Sequence, residues 1–472
     1  MPTSRPSRED IVVTGISCRF AGSPDPATFW QNILQRKALF TPFRLLETQG
    51  ALPRKNLFDR TQPGYAAQLA DLYAYDPADV HLSRSINTGE NPELLFAIQL
   101  IIDALRDSNL ALNALPTDQI SLRLGYPPPF NAAAVNWLQH TVFLDQTVDL
   151  IRTMFPLATT EQLSDIRDQL TASLPTLTPY AFMSSMGGAM ASWIAHLLGF
   201  ASPSQIIECG SLSAHFALQS AMDDLRMRRA DIAIAGAIQP PFTLAMAQAL
   251  SGMQTFSTSS RIQPFSRTSD GTLPGEGGAI FVLKRLKDAE RQNDRIYALI
   301  RSSEIASASL ETPQKIPTPK RLRTAIDGAL DTARLSPEAI TYIEAHGCGV
   351  PYTDQTEAEV LTERFGPRQT ARPLVGIGAV KGNIGHALWG SGAASFLKAI
   401  LAIYHRVLPP NCEIEKPCTA LASAKSSLYL INETRPWTRG NKKMLRRAGI
   451  TSIDFTGACA AAIIEEYPEV FS

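Results

Sequence analysis

The chain has 472 residues, 44% of them apolar and 19% charged, a balance that predicts a large globular core and room for about three average domains. Lys plus Arg and Asp plus Glu each total 44, for a net charge of zero, which argues against a general nucleic-acid binder and a polybasic membrane-surface protein. No apolar run is long enough for a transmembrane helix, and "MPTSRPSREDIVVTGISC" at the N-terminus lacks the apolar centre of a signal peptide.

In chain order, "DIVVTGISC" (10–18) is a short apolar run of the kind that makes a buried strand. An Asp-Pro start and helical spacing predict a helix over "DPATFWQNILQRK" (25–37). Residues 40–175 are Pro-dotted and irregular, with one charged helical stretch, "TTEQLSDIRDQLTASL". They are expected to be a large insertion covering one side of the core. "SPSQIIECGSLSAHFALQSAMDDLRMRRADIAIAGAI" (202–238) reads as strand, tight turn, helix and buried strand. Further strand-length apolar runs are "GGAIFVLKRL" (277–286), "IYALIRSSEIA" (296–306), "ITYIEAHGCG" (340–349) and "PLVGIGAV" (373–380). Strands alternating with helices imply crossover connections and a sheet covered on both faces. No low-complexity tract or flexible linker divides the chain.

The two halves echo each other weakly. "IIECGSLSAHFALQSAM" and "VGIGAVKGNIGHALWGSGAASFLKAILAIYH" each run from strand through a small-residue turn into a helix. Two similar α/β halves would bring those helix N-termini together. Their unpaired N–H groups and partial positive charge would then favour an acyl oxyanion or a thiolate. The six cysteines form no C-x-x-C and are too sparse for a disulfide scaffold, so free thiols in a reducing cytosol are expected. The seven histidines form no H-x-x-x-H or H-E-x-x-H pattern, and no metal site is read.

Longer motifs are more specific. "EAHGCGV" carries His346 and is followed by "DQTE" with Asp354 and Glu357; "VKGNIGH" carries Lys381 and His386; "IDFTGACAA" carries Phe455. With "EDIVVTGISCRFAGSPDPATFW" and "RAGITSIDFTGACAAAIIEE" at either end, they make nearly the whole chain resemble a beta-ketoacyl synthase (ketosynthase) of the polyketide and fatty-acid synthases. The match is weakest across 40–175, where only "NTGENPELLFAIQL" answers the family's Asp-Pro-Gln-Gln-Arg helix start. The resemblance implies an α/β, thiolase-like fold. It would have two pseudo-symmetric halves, 9–286 and 287–467, in a layered α-β-α-β-α arrangement, with the insertion in the first half.

The family places a catalytic cysteine in the turn here written "ECGSLS". Running back without a gap from "DIAIAGA" puts Ser211 at that position and Cys209 two residues early. Making Cys209 the nucleophile would need a two-residue gap, turning the helix by about 200°. In the ungapped register Cys209 ends the buried strand as a small hydrophobe. A serine does not ionise usefully and needs an adjacent base to attack a thioester. His215, four residues on and on the same helix face, is either that base or a satisfied helix histidine.

In the family the two histidines steady a thioester carbonyl while a malonyl group loses carbon dioxide. Lys381 and Glu357 would pair to orient them, and the Phe455 N–H would join that of Ser211 in the oxyanion hole. The plainer roles are an N-cap for Ser211, a loop residue for His346, a first-turn residue for His386, a solvated pair for Lys381 and Glu357, and a core aromatic for Phe455. Where the family has two threonines that hold the phosphopantetheine arm, this chain has Cys348 and Val350; where it has Asn and His, this chain has Cys459 and Ala461.

The resemblance therefore implies chemistry on thioesters carried by the phosphopantetheine of an acyl carrier protein, with no tightly bound cofactor. Decarboxylation of malonyl to acetyl thioester without condensation is the leading expectation. The alternatives are a Ser211-dependent acyltransferase or condensing enzyme, and a non-catalytic partner of an active ketosynthase like the chain-length factors. By the same resemblance a homodimer is expected, pairing sheet edges near "QIIEC", with a heterodimer under the last alternative.

Overall fold

The computed structural model describes residues 9–44, 63–69, 92–111, 117–128, 132–174, 176–177, 186–242, 246, 250, 255–307, 318–366, 375–412, 414, 416–422, 427–439 and 444–468. Eleven strands make one sheet: β1 (Ile11–Phe20), β2 (Ile120–Gly125), β3 (Ser204–Ile207), β4 (Ile232–Gln239), β5 (Gly277–Arg285), β6 (Ala298–Ala306), β7 (Tyr342–Glu344), β8 (Val375–Gly378), β9 (Leu428–Leu430), β10 (Arg447–Ile453) and β11 (Cys459–Glu465). Their order is β9-β8-β7-β10-β11-β6-β1-β5-β4-β2-β3. Six helices frame it: α1 (Pro92–Asp107), α2 (Gly187–Leu198), α3 (Ser213–Arg226), α4 (Pro319–Ala333), α5 (Pro351–Phe365) and α6 (Leu388–His405).

The order contains the echo heard in the sequence. In the first half β1-β5-β4-β2-β3 run side by side, with β4, β2 and β3 parallel and β1, β5 and β4 antiparallel. In the second half β6-β11-β10-β7-β8 repeat that pattern strand for strand, and β9 extends it. The seam is short: Ile11, Val12 and Val13 of β1 pair with Ile300, Leu299 and Ala298 of β6. The sheet is thus mixed, with its parallel strands confined to the outer part of each half.

Burial decides where each helix sits. On α4 the apolar positions Leu322, Ala325, Ile326, Ala329, Leu330 and Ala333 recur at helical spacing and form one buried face against β6 and β11. α1 lies likewise on β1 and β5. By contrast α6 is buried on every side from Gly390 to Ile403, the mark of a helix enclosed by protein. Both α3 and α6 touch strands of both halves and pack on each other. The layers are therefore α1 and α2, the first half-sheet, α3 and α6, the second half-sheet, and α4 and α5.

The strands expected at 10–18, 277–286 and 296–306 form close to their sequence boundaries, the helix at 25–37 runs Pro26–Leu34, and the runs 340–349 and 373–380 shorten to β7 and β8. "TTEQLSDIRDQLTASL" becomes the helix Thr160–Ser173, opened by a capping box between Thr159 and Gln162. It packs on the helix Leu144–Met154, where Leu144, Val148 and Leu163 are buried, while Leu150, Met154, Phe155 and Leu157 face solvent. Much of the remaining insertion lies outside the described residues, as do residues 87–91 of "NTGENPELLFAIQL", whose other residues open α1.

One buried ion pair ties the second half together. Lys398 of α6 meets Glu344 of β7 at 3.0 Å, both fully buried. Glu344 also accepts the Tyr342 hydroxyl and, at 2.7 Å, the Val380 N–H. The bond to Val380 fixes the chain just before Lys381. Removing one partner of such a pair strands the other's charge. K398M is expected to destabilise the fold by about 3–5 kcal/mol, and E344Q/K398M to recover part of that loss, as read by urea unfolding. Equal stability of K398M and the parent chain would refute this account.

Candidate active site

The two central helices bring the site together. Gly392, in the first turns of α6, lies against Ala214 of α3 and the Ser211 carbonyl. A Cβ there would stand 3.0 Å from the Ala214 Cβ and 3.3 Å from the Ser211 oxygen. Ser211 sits in the tight turn Gly210–Leu212 that leads into α3 and is 2% exposed. Its Oγ makes no hydrogen bond among the described residues. Cys209 lies beyond the end of β3, partly exposed, and its N–H donates to Ser213 Oγ at 2.9 Å. That corrects the expectation that it ends the buried strand. Burial first, then the charges of Asp454 and Glu208, push its thiol above the ordinary range.

His346 and His386 meet at 5.4 Å between ring centroids, inclined by 73°. His346 follows β7, and two carboxylates shape its loop. Glu357 of α5 accepts the N–H groups of His346 and Gly347, each at 2.9 Å, and the Thr451 hydroxyl at 2.5 Å. Asp354, one turn earlier, accepts the N–H groups of Phe265 (2.7 Å), Cys348 (2.9 Å) and Gly349 (3.1 Å), and burial pushes its carboxyl up to about 7. His386 is held by the other half: its N–H donates to the Leu273 carbonyl at 2.8 Å, and its carbonyl accepts the Gly275 N–H at 3.0 Å.

Hydrogen bonds fix the tautomers. His346 Nδ1 accepts the Ile453 N–H at 3.2 Å, with Lys381 Nζ 3.4 Å away. His386 Nδ1 accepts the Leu388 N–H at 3.2 Å and lies 3.3 Å from Ser391 Oγ. Leu388 makes its bond from φ 35, a left-handed conformation that costs energy in a non-glycine residue. A neutral ring that accepts at Nδ1 carries its proton at Nε2. Both rings are neutral, since burial, and then the nearby Lys381 charge for His386 and foremost among the charges for His346, push them well below the ordinary range. The pair thus offers two N–H donors.

Lys381 donates to the His346 carbonyl at 2.7 Å, and burial lowers its ammonium from the ordinary value. Lys381 and Glu357 feel each other's charge, but their hydrogen bonds go to the His346 loop, Lys381 to a carbonyl and Glu357 to two N–H groups. Phe455 stacks on His386 at 5.5 Å and 26°. It belongs to an apolar cluster with Phe242, Met246, Leu388 and Trp389. His215 is fully buried, with Nδ1 3.2 Å from Ser303 Oγ and Nε2 3.0 Å from Ser452 Oγ. Desolvation holds it at about 3. Both its nitrogens are engaged, so it is not free to serve Ser211 as a base.

Of the residues that replace the family's polar groups, Cys348 is buried against Asp354. Cys459 is sealed in β11, and burial pushes its thiol to about 12. Val350 caps α5, and Ala461 lies in β11.

Sequence reasoning missed Asp454. Its Oδ1 accepts the Ser211 N–H at 3.0 Å, so the donor expected to stand free at the start of α3 already has an anionic partner. An acidic residue between the apolar end of β10 and Phe455 was the available signal. The Thr451 hydroxyl and the Ile453 N–H were missed as well; the partner of a hydroxyl is set by the fold, and a backbone donor leaves no mark in a sequence. Among the described residues, no group of His, Cys, Asp or Glu is arranged to hold a metal, and no helix is long and apolar enough to cross a membrane.

Residues 8–289 match the family model for the beta-ketoacyl synthase N-terminal domain, and 297–415 that for its C-terminal domain. The chain is 27% identical over 467 residues to a phenolphthiocerol/phthiocerol polyketide synthase of Mycobacterium tuberculosis, covering 98% of this chain and 24% of that protein. It is 25% identical over 468 residues to the 6-methylsalicylic acid synthase of Aspergillus terreus, again covering 98% and 24%. The chain thus spans about a quarter of these relatives' length. Among solved structures it resembles the ketosynthase from module 6 of the Bacillus subtilis bacillaene synthase (TM-score 0.76, 23% identity, covering 97% of this chain and 72% of that one). It also resembles an oxazolomycin ketosynthase domain of Streptomyces albus (TM-score 0.77, 22% identity, covering 97% and 75%). Layered halves, histidine pair and family match agree: the chain belongs to the beta-ketoacyl synthase family and has its thiolase-like α/β fold, with a large insertion in the first half.

Proposed function

We propose that the chain decarboxylates a malonyl thioester presented on the phosphopantetheine arm of an acyl carrier protein, giving the acetyl thioester without condensation. One observation carries this reading: two neutral imidazoles lie 5.4 Å apart, each bonded at Nδ1 to a backbone N–H, which leaves each ring its Nε2 proton to donate to a substrate oxygen. As the bond from the malonyl α-carbon to its carboxylate breaks, its electron pair moves toward the thioester oxygen and carbon dioxide leaves. Charge then grows on an enolate oxygen that accepts from His346 and His386, and fixed, buried donors stabilise such charge strongly. A proton from water returns to carbon. Lys381 and Glu357 position the His346 loop, and Phe455 holds the plane of His386. Among the described residues the Ser211 Oγ has no hydrogen-bond partner to take its proton, which supports a role as a wall residue and not as a nucleophile.

The test is mass spectrometry of malonyl-loaded carrier protein. The chain is expected to convert malonyl to acetyl without a condensation product. H346A and H386A should each lower the rate by about 10²–10³-fold, and S211A should leave most of it. No loss of carbon dioxide above blank would reject the reading. If the inactive chain instead co-purified with an active ketosynthase, that would favour a non-catalytic partner. Trapping of acyl groups on the Ser211 peptide would favour acyl transfer.

The pH dependence follows from the same rings. Both imidazoles stay neutral well below 6.5, so the rate should remain level as pH falls from 8 through 6.5. A midpoint near 6.5 would contradict this. The sign for stability is the depressed case. Stability contributed by buried neutral His215, His346 and His386 is complete above the unfolded value of 6.5 and is lost progressively below it.

A homodimer is part of the proposal. Among the described residues β3 has one sheet neighbour, β2, and an unpaired strand edge is a template for pairing with a second copy. Sedimentation at micromolar concentration is expected to give twice the 51.4 kDa chain mass; a monomer would overturn the proposal.

A further inference from the structure

Beside Ser211 the chain has built an anion of its own. Asp454 Oδ1 accepts the Ser211 N–H at 3.0 Å. Its Oδ2 accepts the Thr456 N–H at 3.0 Å and the Thr456 hydroxyl at 2.8 Å. The backbone closes around it: the Asp454 N–H donates to the Ala458 carbonyl, and the Gly457 N–H to the Asp454 carbonyl, both at 2.9 Å. Asp454 is 9% exposed. Gly210, at φ 52, gives it room, since a Cβ there would lie 2.0 Å from Oδ1.

We propose that the Asp454 carboxylate occupies the oxyanion position at Ser211 and excludes acyl transfer there, so that a thioester carbonyl is left with the histidine pair alone. This rests on reading Ser211 as the position at which an acyl group would be received. A thioester oxygen is a neutral, weak acceptor. To reach the Ser211 N–H it must displace a carboxylate whose bond is charge-assisted and therefore roughly twice as strong as a neutral one. A tetrahedral oxyanion formed there would also meet a negative charge at close range. The absent thiol and the filled donor site are thus separate barriers, and Asp454 sets which half of the family's chemistry the site retains.

The test restores the nucleophile and then clears the donor. S211C, S211C/D454G and S211C/D454A are incubated with acetyl N-acetylcysteamine thioester, which has no carboxylate to lose. In acylation the introduced thiolate attacks the carbonyl carbon and a C–S bond forms. The C–S bond to cysteamine breaks, and the departing thiolate takes up the proton the side chain gave. Peptide mass spectrometry follows the adduct. Alkylation of the same thiol by iodoacetamide, which forms no oxyanion, reports its reach and ionisation.

S211C is expected to alkylate but to acylate poorly. Clearing Asp454 should raise acylation relative to alkylation by about 10²-fold, the value of one oxyanion-hole donor. The proposal is overturned if S211C alone has as high a ratio as the double variants. It is equally overturned if either double variant, melting like S211C and alkylating normally, gains no acylation. Should both double variants fail to fold, S211C alone decides: a ratio at or above that of free cysteine overturns the proposal, and a lower one supports it. Malonyl decarboxylation by the unaltered chain is a separate measurement that reads the histidine pair, so each idea can fail without the other.

Discussion

The constraint behind the rest is the burial of two helices back to back. α3 and α6 lie between the half-sheets with strands on both sides, and they approach closely because Gly392 faces Ala214 and the Ser211 carbonyl. Alanines at 214, 217 and 221 on one helix and at 393, 394 and 399 on the other belong to the same buried core. Bulkier residues would push the half-sheets apart and carry His386, just before α6, away from the turn that holds Ser211. Interiors packed to crystal-like density transmit such displacements instead of absorbing them.

Around that contact the site is assembled by carboxylates acting on backbone amides. Glu344, Glu357, Asp354 and Asp454 each accept at least one main-chain N–H from a loop at a strand end. A buried carboxylate satisfied by several such donors is stiff, because moving it breaks several bonds at once. The imidazoles follow the same design in reverse, with main-chain donors pinning each Nδ1. These four buried carboxylates thus hold loop geometry, while exposed pairs at the surface contribute little.

Much of this was readable beforehand, and what was missed has a common cause. Strands followed from uninterrupted apolar runs, the helix at 25–37 from its Asp-Pro start and spacing, and α3 and α6 from the echo between the halves. His346, Lys381, His386 and Phe455 were found because their motifs are long. The roles of Cys209, His215 and Asp454 were not fixed in the same way. Whether a thiol ends a strand or sits past it, whether an imidazole is already bonded to two serines, and whether a carboxylate reaches a turn 243 residues away all depend on contacts between distant segments. Sequence pattern carries periodicity, and periodicity says nothing about which side chain meets which across a fold.

The anchoring of Asp454 by Thr456 has a consequence for how this lineage could change. On the proposed reading, a change at 211 alone would supply sulfur beside an amide already bonded to Asp454, and a change at 454 alone would free that amide beside a hydroxyl. Acyl transfer at this turn would then depend on two positions 243 residues apart in the chain, altered one after the other or together.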